Sequence, residues 1–462
     1  MIHPDRIRHY HGAPSISGKD RYVCYWMQQA QRVADNHALC FALEKANQLK
    51  LPLKVAFVLT PDFPEANHRH YRFMLDGIAD VQRLLAQKGI PFVLETGDMT
   101  ASVLALARQA AWVVADAGYL RIQRQWRDAI AKELTCAFTI VESDCIVPVA
   151  AAYPKEAVGA RALRSKIMKK LDAYLDPVVL PAYWMKNAAR ANAAHTVDSS
   201  PVIQPEKLAA RAAAIKTVSP VADFVGGEVA AEVRLKQFVS TSLAHYDILA
   251  RDPAAQCRSD LSAHLHFGHI SPVAVVRAVR ESSAPEAAKA AFIEQVAVRR
   301  ELAVNFVYYN SEYDRYDGAV PAWARRTLAD HQKDRRPYLY GPGALERAET
   351  HDPYWNAAQM EMVITGRMHN YMRMYWGKKI MEWSTAPEAA FEIMLALNNR
   401  YELDGRDPNG FTGVAWCFGR HDRPFTERTV FGKIRYMNAA GLERKFKIDR
   451  YVERIRGLGN TI

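Results

Sequence analysis

The sequence has no apolar run near the ~20 residues a helix needs to cross a bilayer. Its opening, MIHPDRIRHYHG, has no apolar h-region, so neither a membrane span nor a secretory leader is expected. Cysteine is scarce. The six, at 24, 40, 136, 145, 257 and 417, form no CxxC and no paired spacing. This argues against a disulfide framework and a zinc site, and reads as reduced thiols in the cytoplasm. GxGxxG and the P-loop pattern are also missing, so a standard dinucleotide or nucleoside-triphosphate domain is not expected. Internal repeats and low-complexity tracts are absent too.

What remains is globular in character. The 462 residues are 49% hydrophobic and 24% charged, enough for two or three domains of about 150 residues. The net charge of +11 is unevenly placed: residues 420–456 hold eleven Lys/Arg against five Asp/Glu. A basic face at one end of a chain suits a polyanion, nucleic acid first among them; the bland reading is a solvated basic helix.

From Arg21 to Pro148 short apolar runs alternate with amphipathic ones. YVCYW (22–26), VAFVL (55–59), PFVLE (91–95), WVVAD (112–116) and FTIVES (138–143) read as strands. Between them, residues 32–49 and 68–89 read as helices, the second stopping at Gly89. Such alternation predicts an α/β domain, a parallel sheet with helices on both faces, whose ligands sit at the carboxyl ends of the strands. Residues 187–225 are rich in Ala, Ser and Pro and read as a connector. Beyond them the pattern turns helical. The expected organisation is an α/β domain over 1–186, the connector, and an all-α domain over 226–462.

Four stretches in the second half carry candidate chemistry. In MHNYMRMYWGKKIMEW (368–383), Trp376 and Trp383 are seven apart and share a helix face, and Trp355 lies in the preceding helical segment. These indoles read as core packing, or as a relay of oxidisable rings leading to a buried redox cofactor. LNNRYELDGRDPNGFTGVAW (397–416) places Asn398 at a helix end before an acidic, glycine-rich loop. DGRDPNG is a turn in any reading, and Arg373 is the candidate partner for a buried Asp404. VRRELAVNF (298–306) sets Arg299, Arg300 and Glu301 in a helix otherwise rich in apolar residues, and the bland reading is solvated charges on its outer face. DLSAHLHFGHISP (260–272) clusters His264, His266 and His269 at a spacing that does not put three ligands on one helix face, so no metal site is expected. Ser262 at a helix start suits a phosphate instead.

Together with RYVCYWMQQAQRVADNHAL (21–39) and HDRPFTERTVFGKIRYMN (421–438), these stretches resemble the class II photolyases, the cyclobutane-pyrimidine-dimer branch of the photolyase/cryptochrome family. The resemblance runs in order through both halves. It implies an α/β antenna domain and a helical domain holding FAD, and light-driven repair of cyclobutane pyrimidine dimers in DNA by electron transfer from photoexcited reduced flavin. Asn398 is similar to the asparagine facing flavin N5, and Arg373 and Asp404 to the ion pair beside the ring. Tyr246, Leu261, Ser262, Leu265, Gln295 and Asp407 match cofactor-pocket positions. Glu301 resembles the glutamate that hydrogen-bonds the dimer, and Met374 and Trp416 its apolar contacts. Trp376, Trp355 and Trp383 match the photoreduction relay, and Arg420, Arg423, Arg428, Lys433 and Arg435 are the expected DNA contacts. Ala263-His264 stands where the family more often has Pro-Tyr, which leaves the role of His264 open.

The antenna pocket carries no assignable motif, and the alternatives are an 8-hydroxy-deazaflavin, preferred to methenyltetrahydrofolate, or an empty pocket. The partner is UV-damaged DNA, duplex or single-stranded, met by a monomeric, cytoplasmic, nucleoid-associated enzyme. His369 stands alone where a (6-4) photolyase would show paired histidines, and a cryptochrome would often carry a longer tail. A basic nucleic-acid-binding protein without catalysis is the alternative from a different class.

Overall fold

YVCYWM is buried at every position, and the strands beside it are nearly so. Continuous apolar runs of this kind belong to a sheet covered on both faces. In the computed structural model, which describes residues 2–11, 22–185, 202–212 and 218–459, they form a six-stranded sheet. Its strands are β1 (Ile7–His11), β2 (Tyr22–Met27), β3 (Leu53–Leu59), β4 (Phe92–Thr96), β5 (Ala110–Asp116) and β6 (Ala137–Val141), in the order β1-β6-β5-β2-β3-β4. All neighbours are parallel except β1, which pairs antiparallel with β6. The strand order reverses between β2 and β5, so the switch point lies outside Met27 and Asp116. There the Asp116 carboxylate accepts the backbone N–H groups of Gln28, Gln29 and Ala30 and the Tyr25 hydroxyl, and so ties down the turn after β2.

Helices His37–Leu49 and His68–Gln87 begin at asparagine caps, Asn36 and Asn67, whose side-chain oxygens satisfy first-turn N–H groups. The first starts five residues later than its periodicity suggested. Arg32 does not join a helix because it is buried, donating to the carbonyls of Gly268 and Ser143.

The chain divides into two compact units, one comprising Met1–Pro154, Lys166–Gln237 and Asp260–Ser282, the other Lys155–Ser165, Phe238–Ser259 and Ser283–Ile462. Part of the sequence read as a connector packs within the first: helix Pro205–Ala212 lies on His68–Gln87, with Ala209 buried. Residues 187–201 and 213–217 of that stretch lie outside the described residues. His264 and His269 also belong to the first unit, buried among Phe73, Phe224 and Phe267. His269 accepts from the Gly227 N–H at 2.9 Å, and burial pushes its pKa down to about 3, so its ring is neutral.

The second unit is helical. Its centre is built from Arg300–Tyr309, Pro353–Thr365, Asn370–Trp383, Pro387–Tyr401 and Pro408–Cys417. A π-turn, Glu294–Arg299, interrupts what the sequence presents as one helix and delivers the chain into Arg300–Tyr309. The C-terminal helix Ile448–Gly459 packs on Pro353–Thr365. Glu361 anchors that contact from complete burial, pairing with Arg258 at 3.0 Å and accepting the Tyr451 hydroxyl at 2.8 Å.

Candidate active site

The turn DGRDPNG joins two helices by a short, strained route. Pro387–Tyr401 stops at Glu402, Arg406 takes a φ of +65°, and Asp407 caps Pro408–Cys417 by accepting the Gly410 N–H. Proline at the first helical position suits the cap, since its missing N–H would have had no partner there. The route brings Asn398, Glu402, Asp404 and Asp407 into one buried group. Arg373 reaches them from Asn370–Trp383, 3.0 Å from Glu402 and 3.4 Å from Asp404.

A single guanidinium here faces three carboxyl groups in a medium where charge is costly. Burial therefore pushes Glu402 up to about 8 against the pull of Arg373, and pushes Asp407 up to about 7, reinforced by Asp404. Burial alone would weaken Arg373 as a cation, but Glu402, Asp404 and Asp407 outweigh it and raise its pKa. The short Arg373–Glu402 contact looks like an ion pair, yet a carboxylic acid can also accept from a guanidinium. The balance of burial favours the neutral acid near pH 7.

Some polar atoms in this unit lack a hydrogen-bond partner among the described residues. Arg373 Nε and Thr412 Oγ1 are buried without a hydrogen-bond partner. Asn398 Nδ2 donates to Asn399 Oδ1, while Asn398 Oδ1 meets no partner among the described residues. Gly410 leaves the carboxamide room, since a Cβ there would lie 2.8 Å from Asn398 Nδ2.

Glu301 is buried on Arg300–Tyr309, which packs against Pro408–Cys417, the helix carrying the half-buried Trp416. Met374 is half-buried one position beyond Arg373. Tyr246 stands edge-on to Phe238 and Phe292, and Gln295 is exposed on the π-turn. Leu261, Ser262 and Leu265 lie in the sheet-bearing unit at the short helix Ser262–His266, the two leucines buried and the serine exposed.

The three indoles are all buried. Trp355 and Trp383 meet edge-on with centroids 5.6 Å apart. Trp376 joins them differently: Trp355 Nε1 donates to the Trp376 carbonyl at 3.0 Å, and Trp376 Nε1 donates to Gln359 at 2.8 Å. Trp383 in turn abuts Tyr340 at 5.4 Å and His351 at 5.2 Å.

Comparison with known proteins decides the family. The DNA photolyase family model matches residues 23–182. A deoxyribodipyrimidine photo-lyase of Methanothermobacter thermautotrophicus is 47% identical, covering 99% of both chains. Its counterpart in Oryza sativa subsp. japonica is 39% identical over 94% of this chain and 88% of its own, and that of Potorous tridactylus 38% over 95% and 82%. The chain belongs to the DNA photolyase family. As a photolyase it is an enzyme, a lyase. Its fold is similar to a class III photolyase from Agrobacterium tumefaciens (TM-score 0.69, 19% identity, 96% of this chain and 88% of that one). It is equally similar to an archaeal photolyase from Sulfolobus tokodaii (TM-score 0.70, 14% identity, 94% and 89%).

The basic residues of this photolyase differ in availability. Arg423, Arg428, Lys433 and Arg435 are exposed on the loop after Pro408–Cys417. Arg420 is held inside: its three nitrogens donate to Glu156 and to the carbonyls of Ala319 and Gly318. The loop is braced by the Arg428–Gly432 bridge and by His331, which lies 2.6 Å from Asp334 and 3.0 Å from Glu427. Those two carboxylates raise the His331 pKa.

Sequence reasoning found Asp404 and Arg373 but missed Glu402 as a second partner of that arginine, and missed Asn399 and Gly410 around Asn398. Adjacency to DGRDPNG signalled Asn399 and Glu402, and Gly410 is the last residue of that turn. No helix among the described residues is long and apolar enough to cross a membrane.

Proposed function

We propose that this photolyase repairs cyclobutane pyrimidine dimers in DNA in the manner of the class II branch, using FAD held by the helical unit. The observation that carries the reading is the buried Asn398–Arg373–Asp404–Asp407 group, with unpartnered polar atoms, in the same unit as three buried indoles. That donor set suits the polar edge of a flavin ring: an amide for N5, a cation beside the ring, and carboxylates that fix the cation. When bound, FAD would supply light absorption and a one-electron donor for the dimer.

The chain's own residues prepare that event. Asn398 presents its carboxamide toward N5. Arg373 holds positive charge beside the ring, oriented by Asp404, while Asp407 fixes the helix start that closes the turn. Tyr246 and Gln295 complete the cofactor's surroundings within that unit. Photolyases are among the enzymes that take their base out of the stack. Glu301, buried on a packed helix, hydrogen-bonds the extruded dimer, and Met374 and Trp416 cover its apolar faces. Trp376, Trp355 and Trp383 restore reducing equivalents from the outside. Arg423, Arg428, Lys433 and Arg435 grip phosphates; Arg420 acts by holding the loop's base to Glu156.

The same reading assigns residues 1–186 to an antenna domain, 187–225 to the connector and 226–462 to catalysis. It includes a deazaflavin-type antenna chromophore and a monomer acting at the nucleoid on duplex or single-stranded DNA. The test is an absorption spectrum of the purified protein before and after blue light, then illumination with a thymine-dimer oligonucleotide. Flavin bands that bleach, followed by loss of the dimer, are expected. A protein that stays colourless and cannot be reconstituted with FAD, or a dimer left intact by the reduced holoprotein, would sink the proposal.

A further inference from the structure

We propose that Asn399 is a positioning residue that fixes which end of the Asn398 carboxamide is free to act; the inference rests on reading Asn398 as the residue facing flavin N5. Consecutive helix residues point about 100° apart, so neighbouring asparagines do not ordinarily meet. Here they do, at the last turn of Pro387–Tyr401. Asn398 Nδ2 donates to Asn399 Oδ1 at 3.2 Å, and the same oxygen accepts the Arg406 N–H at 2.9 Å.

The assignment of amide ends follows from chemistry. A backbone N–H can only donate, so the Asn399 atom facing Arg406 is its oxygen. The Asn398 atom resting on that oxygen must then be its nitrogen. With Nδ2 tied back in this way, Oδ1 is the end left without a partner among the described residues. Two further features hold the arrangement. Arg406 reaches Asn399 only because it takes a φ of +65°. Gly410 closes the other side, where a Cβ would come within 2.8 Å of Asn398 Nδ2 and 3.4 Å of Asp407 Oδ1. Both asparagines are buried, at 3% and 1% exposure, so the orientation is not averaged by solvent.

The consequence is selective. Oxidised flavin has a bare N5 that only accepts; reduced flavin carries N5–H and donates. An asparagine presenting Oδ1 favours the reduced form, and Asn399 is the residue that makes it present Oδ1.

The test is a double-mutant cycle read out as the reduction potential of the bound flavin in the full-length holoprotein. Asn399→Leu frees the Asn398 amide to turn. It is expected to lower the reduced-to-oxidised ratio at a fixed potential about tenfold, which is about 30 mV for a two-electron couple. In an Asn398→Leu background the same change has no carboxamide to act through, and the expected shift falls below about twofold. Gly410→Ala, which displaces the amide from the opposite side, runs the same cycle if Asn399→Leu does not fold. A shift absent in both backgrounds, or equal in both, overturns the proposal while leaving the role of Asn398 standing. A parental potential in Asn398→Leu itself overturns that role and this proposal together.

Discussion

Glu402→Gln is the substitution that asks most of the buried carboxylate group. The acid is pushed up to about 8 from an ordinary 4.5, with burial the largest cause. A group whose pKa is raised in the fold contributes stability that is complete below its unfolded pKa and is lost as pH rises through the folded one. Glu402 therefore costs the helical unit progressively between pH 4.5 and pH 8. At about 1.4 kcal/mol per pH unit, the loss is on the order of 5 kcal/mol by the upper end. Glutamine keeps an oxygen for Arg373 and never ionises, so this slope disappears. Asp407 titrates in a similar window in both proteins, so their difference isolates Glu402. The assay is urea unfolding of the apoprotein from pH 5 to pH 9, followed by fluorescence of the buried indoles. The expected result is near-equal stability at pH 5 and a variant more stable by a few kcal/mol at pH 8.5. Parallel pH curves would mean that Glu402 is ionised and fully paired with Arg373, and the charge argument for this site would fail.

Other outcomes follow from the same geometry. Trp376→Phe is expected to slow photoreduction of oxidised flavin by at least tenfold while leaving repair intact once the flavin is chemically reduced; equal photoreduction rates would remove the relay. Glu301→Gln should leave FAD bound but slow repair, since a charge-assisted hydrogen bond of about 1.5–3 kcal/mol is weakened; an unchanged repair yield would count against its contact with the dimer. With four exposed cations on the loop, log affinity for damaged duplex should fall with log salt at a slope near −4. Arg423→Ala with Lys433→Ala should flatten that slope by about 2, whereas Arg420→Gln should leave it alone and lower the unfolding midpoint; the reverse pattern would show that Arg420, not the loop, meets phosphate.

The sheet was largely legible because buried parallel strands are continuous apolar runs, and five of its six strands could be read directly. β1 was not, since IRHYH carries no such run; it is an edge strand specified by antiparallel pairing to β6. Arg32 and its neighbours looked helical, but carbonyls distant in sequence claim the guanidinium. The interruption of residues 286–309 by a π-turn leaves no local mark either. At the site, residue types and order pointed to Asn398, Arg373 and Asp404. That Glu402 shares the arginine, and that Arg420 turns inward, depends on chain path and burial, which a linear pattern does not encode.

The indole N–H groups described above have a consequence for charge. An indole that has lost an electron becomes a strong acid at nitrogen and sheds its proton if any base is near. Trp355 points that hydrogen at a peptide carbonyl and Trp376 at a carboxamide, neither of which is basic enough to take it. A positive hole arriving on either ring stays a cation, and a cation remains free to hop. If Trp355 and Trp376 serve as the proposed relay, these partners let them pass charge along rather than trap it.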